Sequence, residues 1–261
     1  MNINPASLMT DTARALGFLT RLPVPAHYFE GDDGNMSRTS RAFPLAGLIA
    51  ALPSALLIYF APWLGLPSLL AASLAIVMSI GVTGALHEDG LADVADGFFG
   101  GKTTEHRLAI MKDSGNGTYG SLALILSVLL RVAALASIAS ANPCAAALAV
   151  IASGVAGRTS LVWHWVELTS ARPGGAADSA GQPDTDSLTF ALILGVALSV
   201  LASLFAVGIA ASVLMLALVA VSAIVFARLC RDKIGGHTGD TLGASSQIAE
   251  IATLIALASA L

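Results

Sequence analysis

Long apolar runs, rather than one-sided apolar stripes, dominate this chain from about Phe43 to its last residue. A run of about 15 to 20 apolar residues is long enough for a helix that crosses a bilayer. Seven such spans are predicted, at residues 43–62, 68–87, 121–141, 145–166, 188–207, 210–228 and 247–261. The pattern therefore predicts an all-α, polytopic integral membrane helical bundle that forms a single membrane-embedded domain over residues 1–261.

The segment before the first span has a different, two-sided pattern. Leu8 and Leu16 fall on one side of a helical wheel, whereas Asp11 and Arg14 fall on the other. This pattern is typical of a helix that lies in the membrane interface. We predict an interfacial helix and a cytoplasmic loop within residues 1–42 and, because charges interrupt the first apolar run, we expect no signal peptide.

Composition strengthens the membrane interpretation. Hydrophobic residues make up 56% of the 261 residues and charged residues only 11%, whereas soluble domains average about 25% charged residues. The net charge is −4 and no basic stripe is present. Nucleic acid is therefore excluded as a partner, and the lipid bilayer is the expected surrounding.

The charged residues are confined to alternate connections between the spans. The short turns at residues 63–67, 142–144 and 208–209 carry no charge; nearly all charges lie before the first span and in residues 88–120, 167–187 and 229–246. The positive-inside rule places the charged connections in the cytosol. This topology puts Cys144 and Cys230 on opposite faces of the membrane, so no disulfide is expected between them.

An acidic stretch within residues 88–120 carries the strongest chemical signal. Asp89, Asp93 and Asp96 stand at i, i+4 and i+7, so a helix continuing past His87 would place them on one face. Glu88 lies about 100° to the side and joins through its longer side chain. Like charges at this spacing repel, and oxygen ligands favour Mg²⁺ or Mn²⁺ over zinc. A metal-binding face is predicted, with a solvated acidic face as the alternative.

The same stretch contains glycine-rich segments, DGFFGG and DSGNGTYG, that include Gly115 and Gly117. Their backbone N–H groups could approach phosphate oxygens, and Arg107 and Lys112 could neutralise the phosphate charge. Tight turns explain these glycines equally well. Residues 88–120 are predicted to form a catalytic cytoplasmic stretch.

The last charged connection, GGHTGDTLGA, contains a second small set of polar groups around Asp240. Glu250 follows one helical turn into the final predicted span, where an unpaired carboxylate is costly. We therefore expect Glu250 to face the same polar cavity. Residues 167–187 have loop composition, and no chemistry is assigned to them.

Two arginines fall inside predicted spans, where they need a partner. We expect Arg131 to tie helices together, and Arg158 either to do the same or to touch substrate. His87 is a candidate metal ligand or a residue at the end of a span. His106 and His164 are interpreted as structural or surface residues.

Several of these segments together resemble one family. The segments HEDGLADVADGFFGG, IMKDSGNGTYG and GGHTGDTLGA, with GFLTRLPVP near the start and FPLAGL from Phe43, resemble the cobalamin synthases, the adenosylcobinamide-GDP ribazoletransferases. The resemblance covers essentially the whole chain in order. It departs at His237, where an aromatic residue such as tyrosine is expected.

The resemblance implies a Mg²⁺-dependent transfer at the bacterial inner membrane, with the active site facing the cytoplasm. α-Ribazole, or its 5′-phosphate, would attack the cobinamide-linked phosphorus of adenosylcobinamide-GDP, and GMP would leave. We expect a metal site, a general base and a set of substrate-binding residues. They are Glu88, Asp89, Asp93 and Asp96 for the metal; Asp96 or Asp113 for the base; and Arg107, Lys112, Gly115, Gly117 and Asp240 for substrate.

Two other functions remain open from the sequence. A CDP-alcohol phosphotransferase also uses an aspartate-rich helix, but its DGxxAR opening is absent because Asp93 follows DGLA. A divalent-cation or organic-ion transporter also places acidic residues in a helical bundle. Transporters usually bury such groups near the midplane, however, whereas the carboxylates here gather on one face.

Overall fold

The computed structural model describes residues 5–113 and 115–261, and this part of the chain is almost entirely helical. Short 3₁₀ turns at Ala26–Phe29, Thr39–Ala42 and Ala61–Leu64 accompany the α-helices. The α-helices are α1 Pro5–Leu19, α2 Phe43–Phe60, α3 Ser68–Thr83, α4 Leu86–Gly100, α5 Thr104–Ile110, α6 Thr118–Ala141, α7 Pro143–Glu167, α8 Ala176–Ser179, α9 Thr185–Ala206, α10 Ile209–Ile234 and α11 Gly239–Ala258.

Six helices of the described residues are long and apolar enough to cross a membrane. They are α2 with its flanking turns, α6, α7, α9, α10 and α11. A further pair, α3 and α4, passes the same test only when taken together, and it is bent by 90°. The prediction of an all-α polytopic bundle is confirmed. The predicted second span, residues 68–87, differs from the structure because a bend interrupts it.

The bend lies at Gly84 and Ala85, inside the predicted 68–87 span. Both residues adopt left-handed backbone conformations, with φ of +63° and +60°. Two successive left-handed residues end α3 and turn the chain before α4 begins. The prediction of one helix running past His87 is therefore wrong. Helix α4 therefore runs at about a right angle to α3, as in a broken span or a re-entrant segment.

The last two long helices also extend beyond their predicted bounds. Helix α10 continues to Ile234, and α11 begins at Gly239 rather than at residue 247. Thr238 caps α11: its hydroxyl accepts the Thr241 N–H at 3.3 Å, and the Thr241 hydroxyl accepts the Thr238 N–H at 2.9 Å. This capping box starts the helix inside the segment predicted as a loop. Glu250 consequently lies near the middle of α11, not in its first turn.

Helix α7 is the central helix and packs against α2, α9 and α11. Most of its buried residues are small (alanine, glycine, serine or threonine), which lets neighbouring backbones approach closely. At the α2–α7 crossing, a Cβ added at Gly154 would lie 3.0 Å from the Gly47 carbonyl oxygen and 3.1 Å from the Ala51 Cβ. Small residues therefore set the distance between these two helices.

Gly47→Ala is expected to destabilise the bundle by about 1–3 kcal/mol, because the new methyl group would overlap the Gly154 carbonyl. Thermal unfolding in detergent measures the loss, at about 2–4 °C for each kcal/mol. Gly81→Ala is the matched control, since a Cβ there meets no atom of the described residues within 4 Å. Equal melting temperatures for the two variants would contradict close packing at this crossing.

Helix α1 packs against the protein on more than one side. Leu19 and the partly buried Leu8 and Leu16 lie against a core cluster. Asp11 is also buried and pairs at 2.6 Å with Arg41, on the turn before α2, which makes burial of the carboxylate favourable. Location of α1 in the membrane interface stays a prediction.

The charged connections meet at one end of the bundle, as the charge pattern predicted. The Met36 N–H donates to the Ala180 carbonyl at 2.7 Å, and the His237 N–H donates to the Thr169 carbonyl at 2.8 Å. These bonds join the N-terminal segment, the α7–α9 connection and the α10–α11 connection. Cys144 starts α7 at the opposite end from Cys230 near the end of α10, and both are free thiols.

Candidate active site

Helix α4 places three aspartates at graded depth along one face. Asp89 is exposed, Asp93 is partly buried and Asp96 is buried. The opposite side of α4 is apolar, and Val94 and Phe98 pack into a core cluster that includes residues of α10. Because this packing fixes the rotation of α4, the aspartate face is directed away from the core.

Asp240, in the first turn of α11, joins this face because Gly90 allows the two helices to touch. A Cβ added at Gly90 would lie 2.6 Å from the Asp240 carbonyl oxygen. On the other side, Arg172 Nη1 lies 3.8 Å from Asp240 Oδ2. We call Asp89, Asp93 and Asp240 the acidic cluster.

The acidic cluster carries more negative charge than its surroundings balance. Burial, followed by the charges of Asp240, Asp89 and Asp96, raises the pKa of Asp93 to about 7, against the opposing effect of Arg172. A carboxyl group with such a pKa is destabilised when ionised, so a bound cation would relieve the repulsion. The electrostatics thus favour a cation beside Asp93.

The cluster fits Mg²⁺ only as part of a ligand set. Within residues 5–113 and 115–261, no three carboxylate, histidine or cysteine side chains lie close enough together to hold a metal ion by themselves. Mg²⁺ is commonly bound through one or two carboxylates together with substrate phosphates and water, rather than in an all-protein cage. The oxygen-only donors of the acidic cluster fit that arrangement.

Asp96 has a different role from the other aspartates of α4. Its Oδ2 accepts the Gly117 N–H at 2.7 Å and its Oδ1 accepts the Gly120 N–H at 2.9 Å. The carboxylate therefore satisfies free backbone donors at the start of α6. A Cβ at Gly117 would lie 2.5 Å from Asp96 Oδ1, so close packing against this carboxylate is sufficient to require a glycine here.

The structure does not bring the remaining predicted substrate-binding residues of this stretch to the acidic cluster. Arg107 Nη1 donates to the Lys233 carbonyl at 3.0 Å, which holds α5 against the end of α10. Lys112 and Asp113 are exposed, and Asp113 Oδ1 accepts the Gly115 N–H at 3.3 Å in a local turn. No contact among the described residues links these side chains to Asp89, Asp93 or Asp240.

Glu88 turns into the bundle, away from the acidic cluster. Its Oε1 accepts hydrogen bonds from Arg131 Nη1 and from the Gln247 side chain, both at 3.1 Å. The 100° offset from Asp89 along the helix separates the two carboxylates in space. A predicted metal ligand is thus placed in an internal ion pair.

Glu88 belongs to a buried ion network that also contains Arg131, Arg158 and Glu250. Arg131 Nη1 lies 3.6 Å from Glu250 Oε2, and Arg158 Nη1 donates to Glu250 Oε1. Arg158 Nη2 lies 3.5 Å from His87 Nδ1. Two cations and two carboxylates balance, so both arginines tie helices together, as predicted for Arg131. Glu250 faces these arginines and a cavity of about 20 Å³, large enough for one water molecule.

Sequence reasoning missed Arg172, which lies in the connection to which no chemistry was assigned. The backbone pairing between Thr169 and His237 brings this connection to the acidic cluster, and no local sequence signal indicates that pairing.

The structure agrees with the interpretation of His106 and His164 as structural or surface residues. His164 is buried and stacks on Phe226 at 5.1 Å, and His106 is exposed.

Comparison with known proteins gives the family of this chain. A family model described as cobalamin-5-phosphate synthase matches residues 11–258. The chain belongs to the cobalamin-5-phosphate synthase family. No solved structure matches the chain.

Relatives named adenosylcobinamide-GDP ribazoletransferase are similar to this chain over nearly their whole length, as three of them illustrate. One from Sinorhizobium sp is 51% identical, with 95% of each chain covered. One from Rhizobium johnstonii is 48% identical, covering 96% of this chain and 97% of the relative. One from Brucella ovis is 47% identical, covering 97% and 98%. Membership in this cobalamin-5-phosphate synthase family establishes a membrane transferase and disfavours the phospholipid-synthase and transporter alternatives.

Proposed function

We propose that this chain joins adenosylcobinamide-GDP to α-ribazole, or to α-ribazole 5′-phosphate, with release of GMP. The observation that carries the proposal is the acidic cluster, which combines Asp89 and Asp93 of α4 with Asp240 of α11 at the end of the bundle where the charged connections meet. Family membership supports the substrates, because the relatives are named for them.

In this reaction a ribazole hydroxyl forms a bond to the phosphorus linked to cobinamide, and the bond from that phosphorus to the oxygen of GMP breaks. The acidic cluster would hold Mg²⁺ together with the substrate phosphates. When bound, Mg²⁺ supplies positive charge that neutralises the bridging oxygens of the diphosphate. The carboxylates of the cluster would thereby hold a positive charge beside the oxygen of the leaving GMP.

The attacking hydroxyl must also lose its proton, and a carboxylate is a suitable acceptor. Asp96 already accepts two backbone hydrogen bonds and positions the loop that precedes α6. Asp113 lies in that loop and is exposed. We therefore propose a positioning role for Asp96 and keep Asp113 as the candidate base, which requires this loop to carry its carboxylate to the substrate bound at the acidic cluster.

An assay of purified protein with Mg²⁺ tests the proposal. We expect GMP and a cobalamin product from adenosylcobinamide-GDP with either ribazole substrate, and loss of both when the metal is chelated. CMP release from a CDP-alcohol without GMP release would identify a phospholipid synthase instead. Movement of cations across liposomes, with no nucleotide released, would identify a transporter.

We further propose that the charged end faces the cytoplasm of a bacterial inner membrane, where nucleotide-activated substrate and Mg²⁺ are present. Cys144 is exposed at the uncharged end and Cys230 is buried. A membrane-impermeant maleimide should therefore label Cys144 in intact cells, and Cys144→Ser should remove the signal. In that background, Asn116→Cys should label only after the cytoplasmic side is opened. Labelling of position 116 in sealed cells would reverse the orientation.

A further inference from the structure

The connection between α7 and α9 folds over the start of α11 and is held there by backbone pairing. The His237 N–H donates to the Thr169 carbonyl and the Ala171 N–H donates to the His237 carbonyl, both at 2.8 Å. Gly236 is needed for this approach, since a Cβ there would overlap the Thr169 carbonyl. The pairing fixes Arg172, the next residue, beside the acidic cluster.

The guanidinium of Arg172 is held in place but retains free hydrogen-bonding capacity. Its Nη2 donates to the Leu108 carbonyl at 2.9 Å, whereas Nη1 is 3.8 Å from Asp240 Oδ2, which is too long for a hydrogen bond. Its side chain is 30% exposed. Arginine has five N–H donors in a fork that matches phosphate oxygens. Arg172 is therefore partly exposed and has N–H donors, including those of Nη1, beyond the one that binds the Leu108 carbonyl.

Other cations of the charged end are less suitable for this role. Arg107 donates to the Lys233 carbonyl, and Arg231 pairs with Glu167 at 3.1 Å on the surface. Arg172, in contrast, lies near enough to Asp93 to oppose the rise in its pKa. Of these three arginines, it is the one whose charge reaches the acidic cluster.

A cavity of about 60 Å³ adjoins this guanidinium and is lined by residues that include Ser170, Arg172, Thr238 and Gly239. It is large enough for a few water molecules or one phosphoryl group, since about 10–15 Å³ of such cavity volume holds one water molecule. The N-terminus of the 20-residue helix α11 lies at its edge and favours negative charge. Asp178 and Asp240 also line the cavity, so anion binding there depends on Arg172.

We propose that Arg172 is a substrate-binding residue whose guanidinium binds a phosphate group of a substrate in this cavity. The proposal rests on the proposed function for the identity of that substrate. Two phosphates have the required chemistry: the diphosphate of adenosylcobinamide-GDP and the 5′-phosphate of α-ribazole 5′-phosphate. Binding replaces the long contact with Asp240 by charge-assisted hydrogen bonds to phosphate oxygens.

Steady-state kinetics of Arg172→Gln, Arg172→Lys and the control Arg231→Gln test this assignment. We expect Arg172→Gln to raise the KM of one phosphate-bearing substrate at least about 10-fold with a smaller change in kcat, because a charged hydrogen bond is lost. Arg172→Lys should recover part of the loss, since it keeps the charge but not the fork. Arg231→Gln should resemble wild type.

The substrate whose KM rises identifies the phosphate group that Arg172 binds. A rise for adenosylcobinamide-GDP alone assigns Arg172 to the diphosphate, whereas a rise for α-ribazole 5′-phosphate with none for α-ribazole assigns it to the 5′-phosphate. Unchanged KM values in a stably folded Arg172→Gln would overturn the proposal. So would a fall in kcat and melting temperature at unchanged KM, because that result indicates a purely structural role.

Calorimetric titration with inorganic pyrophosphate in the presence of Mg²⁺ separates this proposal from the proposed function. Wild-type protein that released no GMP would refute the function, but weaker pyrophosphate binding by Arg172→Gln than by Arg231→Gln would still support the anion site. Equal affinities of these two variants for pyrophosphate and, in a second titration, for inorganic phosphate would refute the anion site even when GMP is released.

Discussion

Asp93→Asn is expected to reduce turnover by about 100-fold or more while leaving the protein at least as stable as wild type. The substitution removes a proposed Mg²⁺ ligand. Even mutation of a residue that only supports a metal ligand commonly lowers metal affinity or activity by about 10–100-fold. It also removes repulsion, because Asp93 is partly buried beside Asp89 and Asp240. GMP release and thermal unfolding of the same preparation measure the two effects.

The pH dependence of stability separates this explanation from a general loss of charge. Because the pKa of Asp93 is raised from 3.8 to about 7, protonated Asp93 favours the folded state. In metal-free buffer this contribution is present at low pH and is lost as the pH rises from about 4 through 7. Asp93→Asn should lack that decline. Added Mg²⁺ should stabilise wild type more than the variant.

Asp232→Asn is the matched control, since Asp232 is exposed at the end of α10 and carries the same formal charge. It should leave turnover and the pH profile unchanged. If Asp89→Asn and Asp93→Asn both kept near-wild-type turnover, the acidic cluster would be a solvated surface and not a metal site.

Hydropathy predicted most of the helices because crossing a bilayer imposes a length that apolar runs reveal directly. It failed where tertiary contacts decide the backbone. The bend at Gly84–Ala85 needs a left-handed alanine, which no local pattern reports. The start of α11 was missed because this helix is mostly buried in the bundle, where glycine, serine and glutamine replace lipid-facing apolar residues.

The candidate site was predictable to the extent that it depends on helical spacing. Asp89 and Asp93 share a face because they are four residues apart, and that holds in α4 despite the bend. The direction taken by the Glu88 side chain depends on Arg131, which is distant in sequence, so the sequence alone could not separate Glu88 from the aspartates proposed as metal ligands. Arg172 reaches the site only through the pairing of its connection with His237.

Glu250→Gln is expected to cause the largest loss of stability among these substitutions. Glu250 is buried and pairs with Arg158 and Arg131, which lie on different helices. Removing its charge leaves Arg158 without a carboxylate partner inside the bundle, and breaking a buried pair in this way costs about 3–5 kcal/mol. At about 2–4 °C for each kcal/mol, the melting temperature should fall by roughly 6–20 °C.

The double substitution Glu250→Leu with Arg158→Met decides whether the uncompensated charge is responsible. Replacing both partners by apolar side chains leaves no unpaired charge between them, so the double variant should be more stable than Glu250→Gln and than the single variants Glu250→Leu and Arg158→Met. Its loss of stability should also be smaller than the sum of the losses in these two single variants. Arg131 would retain Glu88, which is the contact that holds the first turn of α4. The double variant should therefore recover GMP release along with stability, because the face bearing Asp89 and Asp93 keeps its orientation. A double variant less stable than either single one would show that shape, and not charge balance, is what these residues contribute.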